Sequence, residues 1–138
     1  MSKIEDLLER DSIRQVLTAY ANALDSFQPE RLLTEVFSEN AELDYSAAGG
    51  IEGNPVELVN WLGEAMSKFD TWQHLLGNFV IEVDGATAKS RTECFNPLHS
   101  STATVLVGCC YHDELSKAGE IWRINRRRLS VSWMKEWS

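Results

Sequence analysis

Thr71-Trp72-Gln73-His74-Leu75-Leu76-Gly77-Asn78-Phe79-Val80-Ile81-Glu82-Val83-Asp84-Gly85 is a mostly apolar run that closes on an Asp-Gly turn. It reads as a long strand, predicted over Trp72 to Asp84. Side chains alternate between the two faces of a strand. Trp72, His74, Leu76, Asn78 and Val80 are therefore expected on one face, and Leu75, Phe79, Ile81 and Val83 on the other. Both faces are mainly apolar, so neither is expected to be solvated. A titratable imidazole and an amide then sit among apolar neighbours, which suggests a lined cavity. The rest of the chain reads as walls, or as a partner, for His74.

Three more strands are predicted downstream: Thr87 to His99, Thr102 to Leu115 and Glu120 to Trp133. The turns between them are Asp84-Gly85-Ala86, His99-Ser100-Ser101 and Ser116-Lys117-Ala118-Gly119. Connections this short require antiparallel neighbours. Upstream the period is helical. Ser2-x-x-Glu5 has the form of a capping box, and Ile4, Leu7, Leu8, Ile13, Val16, Leu17, Tyr20 and Leu24 follow at helix spacing, with Asp11-Ser12 a candidate break. That helix is expected to end near Asp25-Ser26. Gln28-Pro29-Glu30 opens a second helix with a buried stripe at Leu32, Leu33, Val36 and Phe37, and Ser38-Glu39-Asn40 breaks it. Ala41 to Tyr45 alternates as a short strand. Asn54-Pro55-x-Glu57 starts a third helix, which runs to Phe69. Helices first and strands last predict an α+β fold, with the helices on one face of a curled antiparallel meander. No linker or repeat divides residues 1–138, so a single domain is expected.

The composition is that of an ordinary globular chain, with 43% hydrophobic and 25% charged residues. A net charge of −8 disfavours nucleic acid and anionic membrane surfaces as partners, since both select basic patches. The run Arg126-Arg127-Arg128 lies in a predicted strand, where alternation sends two charges out and one in. No apolar run is long enough to span a membrane, and the acidic N-terminus lacks the core of a signal peptide. The three cysteines, Cys94, Cys109 and Cys110, have no metal-type spacing and read as reduced core thiols of a cytoplasmic protein. Three histidines on separate predicted segments make no zinc signature. No nucleophile motif, phosphate loop or dinucleotide fingerprint is present.

The order and spacing of several short motifs carry a family resemblance. They are Tyr20-Ala-Asn-Ala-Leu-Asp25, Pro29-Glu30-Arg31-Leu32, Phe37-Ser-Glu-Asn-Ala41, Trp72-Gln73-His74 with Asn78, Asp84-Gly85-Ala86-Thr87-Ala88, Tyr111-His-Asp113 and Ile121-Trp122-Arg123-Ile124. Together they resemble SnoaL-like domains of the nuclear transport factor 2-like superfamily, over nearly the whole chain. Within it the chain looks most like the scytalone dehydratase branch, which is similar to bile-acid dehydratases and a dehydrochlorinase. The resemblance implies a cone-shaped α+β barrel with a deep pocket, usually in a homodimer or homotrimer. It implies cofactor-free catalysis on a small hydrophobic cyclic substrate. It also implies an Asp–His pair, here Asp25 and His74, supported by Tyr20, Tyr45 and, late in the next strand, His99.

Loss of water or isomerisation beside a carbonyl needs a base for a carbon-bound proton and an acid for the departing hydroxyl or the enolate. A histidine does both when a carboxylate fixes its tautomer. Read without the resemblance, Asp25 is simply the exposed end of a helix, and His74 is either a satisfied core histidine or, with Trp72, Leu76 and Asn78 on its face, part of a ligand-lined pocket. Tyr20 stands five residues before Asp25, about 140° around a helix, so it is either a pocket residue or core with a bonded hydroxyl. Tyr45 either polarises a substrate or ends a strand. Asn78 either orients substrate or satisfies a backbone group at a bulge. Strict parity sends His99 outward with Lys89, Arg91 and Glu93, whereas a bulge at Asn96-Pro97 would turn it inward. Trp61, Trp72 and Phe95 are candidate pocket walls. The expected function is a dehydratase-type lyase of a hydroxylated cyclic or polycyclic carbonyl compound. The alternatives are an isomerase or polyketide-cyclase-like enzyme with the same parts, a non-catalytic binding or dimerisation domain, and a small subunit of an oxygenase, whose mark would be a large exposed apolar sheet face.

Overall fold

A computed structural model describes residues 1–138. Helix α1 spans Lys3–Asp25. The Ser2 hydroxyl caps it by accepting the Glu5 amide at 3.0 Å, and Glu5 and Asp6 complement the positive end of its dipole. It runs unbroken through Asp11-Ser12 because the Asp11 carboxylate turns along the helix to Gln15 at 2.9 Å, rather than to the backbone. Ile13, Leu17, Tyr20, Ala21 and Leu24 form its buried face. Ile4, Leu7 and Leu8 lie before that face meets the sheet and remain exposed.

The helix stops sharply. The Phe27 amide bonds to Leu24 O and the Gln28 amide to Ala23 O, at 3.0 and 2.8 Å, with Phe27 in the left-handed region at φ 56°. This paired closure is the Schellman arrangement, and it fixes Asp25 on the last turn. A 3-10 turn, Pro29–Arg31, leads into a single helical turn, α2 (Leu32–Glu35). The predicted second helix is thus shorter than expected. The predicted break at Ser38-Glu39-Asn40 lies within strand β1 (Phe37–Asp44), whose register is irregular between Phe37 and Glu42. A hairpin with β2 (Glu52–Gly53) follows, then α3 (Pro55–Met66). In α3 the capping box is complete: the Asn54 side chain accepts the Glu57 amide at 2.9 Å, and Glu57 accepts the Asn54 amide at 3.1 Å.

The predicted first long strand is two strands, β3 (Thr71–Trp72) and β4 (Leu75–Asp84), separated by Gln73-His74. Strands β5 (Thr87–His99), β6 (Thr104–Ala118) and β7 (Ile121–Trp137) complete an antiparallel meander. One pairing lies outside the predicted meander. β1 runs parallel to β7, with Leu43 opposite Arg127 and Asp44 opposite Arg128, so the sheet is mixed, in the order β2-β1-β7-β6-β5-β3 with β4 also on β5. The α+β arrangement of helices on a curled sheet holds. The inward residues of β1, β5, β6 and β7 and the buried faces of α1 and α3 make one core, including Leu17, Leu58, Leu62, Leu115, Trp122 and Ile124. No helix is long and apolar enough to cross a membrane.

Candidate active site

Asp25 is the last residue of α1, where the helix dipole disfavours a carboxylate. Its compensation comes from His74. Oδ1 contacts His74 Nδ1 at 2.7 Å, and Oδ2 accepts the His74 backbone amide at 3.1 Å. The second bond exists because His74 stands in the gap between β3 and β4, where its amide has no strand partner. The His74 side chain is 2% exposed and that of Asp25 32%. An ionised carboxylate only accepts. Against it Nδ1 is the donor, and in the neutral imidazole this tautomer leaves Nε2, on the other edge of the ring, with its lone pair.

Tyr20 stands edge-on to this imidazole, with ring centres 5.9 Å apart at 87°. Its hydroxyl meets that of Tyr45 at 2.7 Å. The parallel β1–β7 pairing brings Tyr45, just past the end of β1, beside Arg127, whose Nη1 donates to Tyr45 Oη at 3.3 Å. Arg127 is buried and held in a fork by Asp113, with Nε to Oδ1 at 2.7 Å and Nη2 to Oδ2 at 2.9 Å. Its guanidinium lies over the rings of Tyr20 and Tyr111, at 4.3 and 4.1 Å. Burial works against the Arg127 charge, but Asp113 outweighs it and holds the group well above its ordinary value. Burial pushes the Tyr20 hydroxyl well above 10. It pushes Tyr45 up too, with Arg127 pulling the other way. Both phenols are thus neutral donors near neutral pH.

His74, Tyr20 and Tyr45 line one cavity of about 410 Å³ between the sheet and α3, within the size range of small-molecule sites. Its walls are mainly apolar: Trp61, Leu62, Phe69, Trp72, Leu98, Val105, Val107 and Leu129, with Glu64 and Lys68 also among the lining residues. Residues 5–128 match the SnoaL-like domain. The chain belongs to the SnoaL-like family. An uncharacterized protein of Mycobacterium tuberculosis is 35% identical over 130 residues, which cover 92% of this chain and 88% of that one. A scytalone dehydratase-like protein of Novosphingobium aromaticivorans superposes with a TM-score of 0.87 at 20% identity, covering 99% of this chain and 93% of that one. The hexachlorocyclohexane dehydrochlorinase LinA-type3 of Novosphingobium barchaimii gives 0.81 at 17% identity, covering 99% and 95%. An NTF2-like protein with a cystatin-like fold, also from N. aromaticivorans, gives 0.78 at 20% identity, covering 94% and 86%. At these identities the structural likenesses establish the fold, which is nuclear transport factor 2-like.

Three of the predicted site residues of this SnoaL-like chain lie elsewhere. Asn78 is exposed and outside the cavity. Gly77 pairs with Glu93 and Val80 with Arg91, so Asn78 and Phe79 together face the single residue Thr92. That bulge, with Asn78 left-handed at φ 49°, reverses the alternation. Phe79, Ile81 and Val83 turn toward the helices, and Val80 turns out, 52% exposed. Phe95 lies on the outer face, its ring 6.2 Å from that of Trp133. His99 is exposed and bonds Thr104 at 2.7 Å. Its strand keeps continuous register through Asn96↔Val107 and Pro97↔Leu106, so no bulge turns it inward. The same parity aims Asn96 into the cavity, a residue the sequence reading passed over. Arg127 and Asp113 were also missed as a pair, although alternation in Arg126-Arg127-Arg128 already required one inward charge.

The outer face of the sheet is largely polar. Lys89, Arg91, His112, Glu114, Arg126 and Arg128 share one shallow depression there, and Arg126 pairs with Glu42 at 2.6 Å. Leu75, Phe95 and Trp133 are apolar and exposed at one end of that face. No three His, Cys, Asp or Glu side chains converge to hold a metal ion.

Proposed function

We propose that this chain is a lyase that removes water from a cyclic or polycyclic β-hydroxy carbonyl compound. The observation that carries this reading is the Asp25–His74 pair opening on a single apolar cavity that also holds the Tyr20 and Tyr45 hydroxyls. His74 Nε2 takes the proton from the carbon next to the carbonyl. Asp25 holds the tautomer that makes this possible and supports the imidazolium that forms.

The direction of the phenol chain follows from donor chemistry. Arg127 only donates, so Tyr45 Oη accepts from it and gives its own proton to Tyr20 Oη. The Tyr20 O–H is then offered to the substrate's carbonyl oxygen, where it stabilises the enolate as charge develops. The imidazolium returns its proton to the β-hydroxyl. The carbon–oxygen bond breaks, the carbon–carbon double bond forms and water leaves. Trp61 and Trp72 are walls against which a flat ring stacks. Asp25, His74, Tyr20 and Tyr45 are the residues assigned to the chemistry.

An isomerase would use the same base and donor without a departing group, and product analysis separates the two. The test is to follow formation of the conjugated product from a panel of bicyclic β-hydroxy ketones. Turnover by the natural chain and a loss of about 10³-fold or more in Asp25→Asn, the scale of a misassigned tautomer in other Asp–His pairs, are expected. Nitrogen NMR of the neutral imidazole should show Nδ1 protonated. An undiminished rate in Asp25→Asn would remove the pair from the mechanism. Ligand binding without any turnover would identify a binding module instead.

A further inference from the structure

Two buried polar atoms on residues that line the cavity have no hydrogen-bond partner within the chain. They are Trp72 Nε1, a donor, and Asn96 Oδ1, an acceptor. Both residues line the cavity that holds His74 and Tyr20, and Trp72 is only 6% exposed. Most buried polar groups are paired, because an unpaired one loses its water and gains nothing in return. Neither atom serves the fold. The indole ring already packs against Phe69 and His74, with ring centres 6.5 and 5.8 Å away. Asn96 sits in a strand whose ladder is complete without its side chain.

Their placement relative to the reacting imidazole is set by the sheet. Trp72 pairs with Leu98 and Leu75 with Phe95, so the same register puts His74 opposite Asn96. Trp72 is two residues from His74 on the same side of the chain. Opposite and diagonal neighbours on one face of a sheet are within reach of a common small group. A hydroxyl is the group that uses a donor and an acceptor at once, accepting from an N–H through its lone pair and donating its proton to an oxygen.

We propose that Trp72 Nε1 and Asn96 Oδ1 form a hydroxyl-binding subsite that holds the departing β-hydroxyl of the substrate beside His74. This rests on the dehydratase reading above and makes it more specific. The substrate's carbonyl points to Tyr20 and its hydroxyl to the Trp72–Asn96 edge, with the carbon carrying the proton between them, at His74. Elimination then takes place on one face of the ring, with the same imidazole removing the proton and returning it. A ligand with an apolar group at the hydroxyl position leaves two buried polar atoms unpaired, and the cavity discriminates against it.

The test is a binding measurement that needs no turnover. One probe is a bicyclic β-hydroxy ketone bearing two methyl groups on the α-carbon, which has no α-hydrogen and cannot lose water. The other is the same ketone without the hydroxyl. The natural chain should prefer the hydroxylated probe by about tenfold or more, the scale of a recovered buried hydrogen bond. Trp72→Phe, which keeps an aromatic ring and removes the N–H, and Asn96→Leu should each erase most of that preference, and Asn96→Leu should still bind the ketone that lacks the hydroxyl. That retained binding shows that the variant has folded. Asn96→Leu should also melt at the same temperature as the natural chain or higher, since it removes an unpaired polar group, whereas a residue that merely supports the fold would lower it. Equal binding of the two probes by the natural chain overturns the subsite and leaves the pocket reading standing. An undiminished preference in both variants overturns it too. Binding of neither probe overturns the dehydratase reading and the subsite with it.

Discussion

Replacing Arg127 by methionine should be among the most damaging single changes in the protein, although Arg127 does not line the cavity. The side chains of Arg127 and Asp113 are 1% and 0% exposed. Methionine fills much of the space and removes the charge, so the Asp113 carboxylate loses both bonds of its fork and stays in the core. Breaking a buried pair from one side costs about 3–5 kcal/mol, most of it from the charge left behind. Loss of the stacking on Tyr20 and Tyr111 adds to this. For a chain of this length, with a shift of about 3 °C per kcal/mol, the melting temperature should fall by roughly 10–15 °C.

The same reasoning makes a second demand. Adding Asp113→Leu removes the stranded carboxylate, so the double variant should recover most of the loss despite carrying one more substitution. The neighbouring exposed pair supplies the control. Arg126 and Glu42 are 62% and 70% exposed, so water screens the pair and Arg126→Met should leave the urea midpoint nearly unchanged. Urea denaturation of the three variants, with the slopes checked for constancy, measures all of this. A cost below about 1 kcal/mol for Arg127→Met would refute the reasoning. So would a double variant no more stable than the single one.

Tyr45→Phe should cost about 1 kcal/mol of stability by removing the hydroxyl between Arg127 and Tyr20. It should also lower dehydration turnover by at least about tenfold, because Tyr20 Oη then loses the donor that polarises and orients its own O–H toward the substrate. Urea melts and kcat check the two parts separately. Glu9 bonds Lys117 and Trp122 Nε1 at 2.5 and 2.6 Å and ties α1 to the β6–β7 hairpin, and these bonds hold its carboxyl below the ordinary value of 4.5. A carboxyl depressed in the folded state contributes stability above its unfolded value and loses it as pH falls through the folded value. The natural chain should therefore weaken below about pH 4.5, and Glu9→Gln should show a flatter melting profile across that window. Asn54→Ala opens the capping box of α3 and should cost about 1 kcal/mol, read from the urea midpoint.

Local patterns were enough for the elements themselves. Ser2-x-x-Glu5 and Asn54-Pro55-x-Glu57 are caps that need only residues three apart; the Asn54 box forms in full, and at Ser2 the hydroxyl caps the Glu5 amide without the return bond. The inward faces of α1 and β1 follow from period and burial, including Ala41, Leu43 and Tyr45. Asp25 and His74 were paired only through the family resemblance. Nothing local to either says that a helix end and a strand gap, 49 positions apart, will meet.

Three features depended on tertiary structure. The bulge at Asn78-Phe79 moved one candidate out of the pocket and reversed every residue after it, because a period of two has no tolerance for one extra residue. Continuous register across Pro97 decided that His99 and Phe95 face out and Asn96 faces in. The parallel pairing of β1 with β7 joins the first strand to the last, and with it come the Arg127–Tyr45 contact and the shape of the cavity. Alternation along a strand is written in neighbouring residues, so the sequence determines it. Which strand lies alongside, and in what register, is settled by contacts between distant residues, and only the folded sheet fixes those.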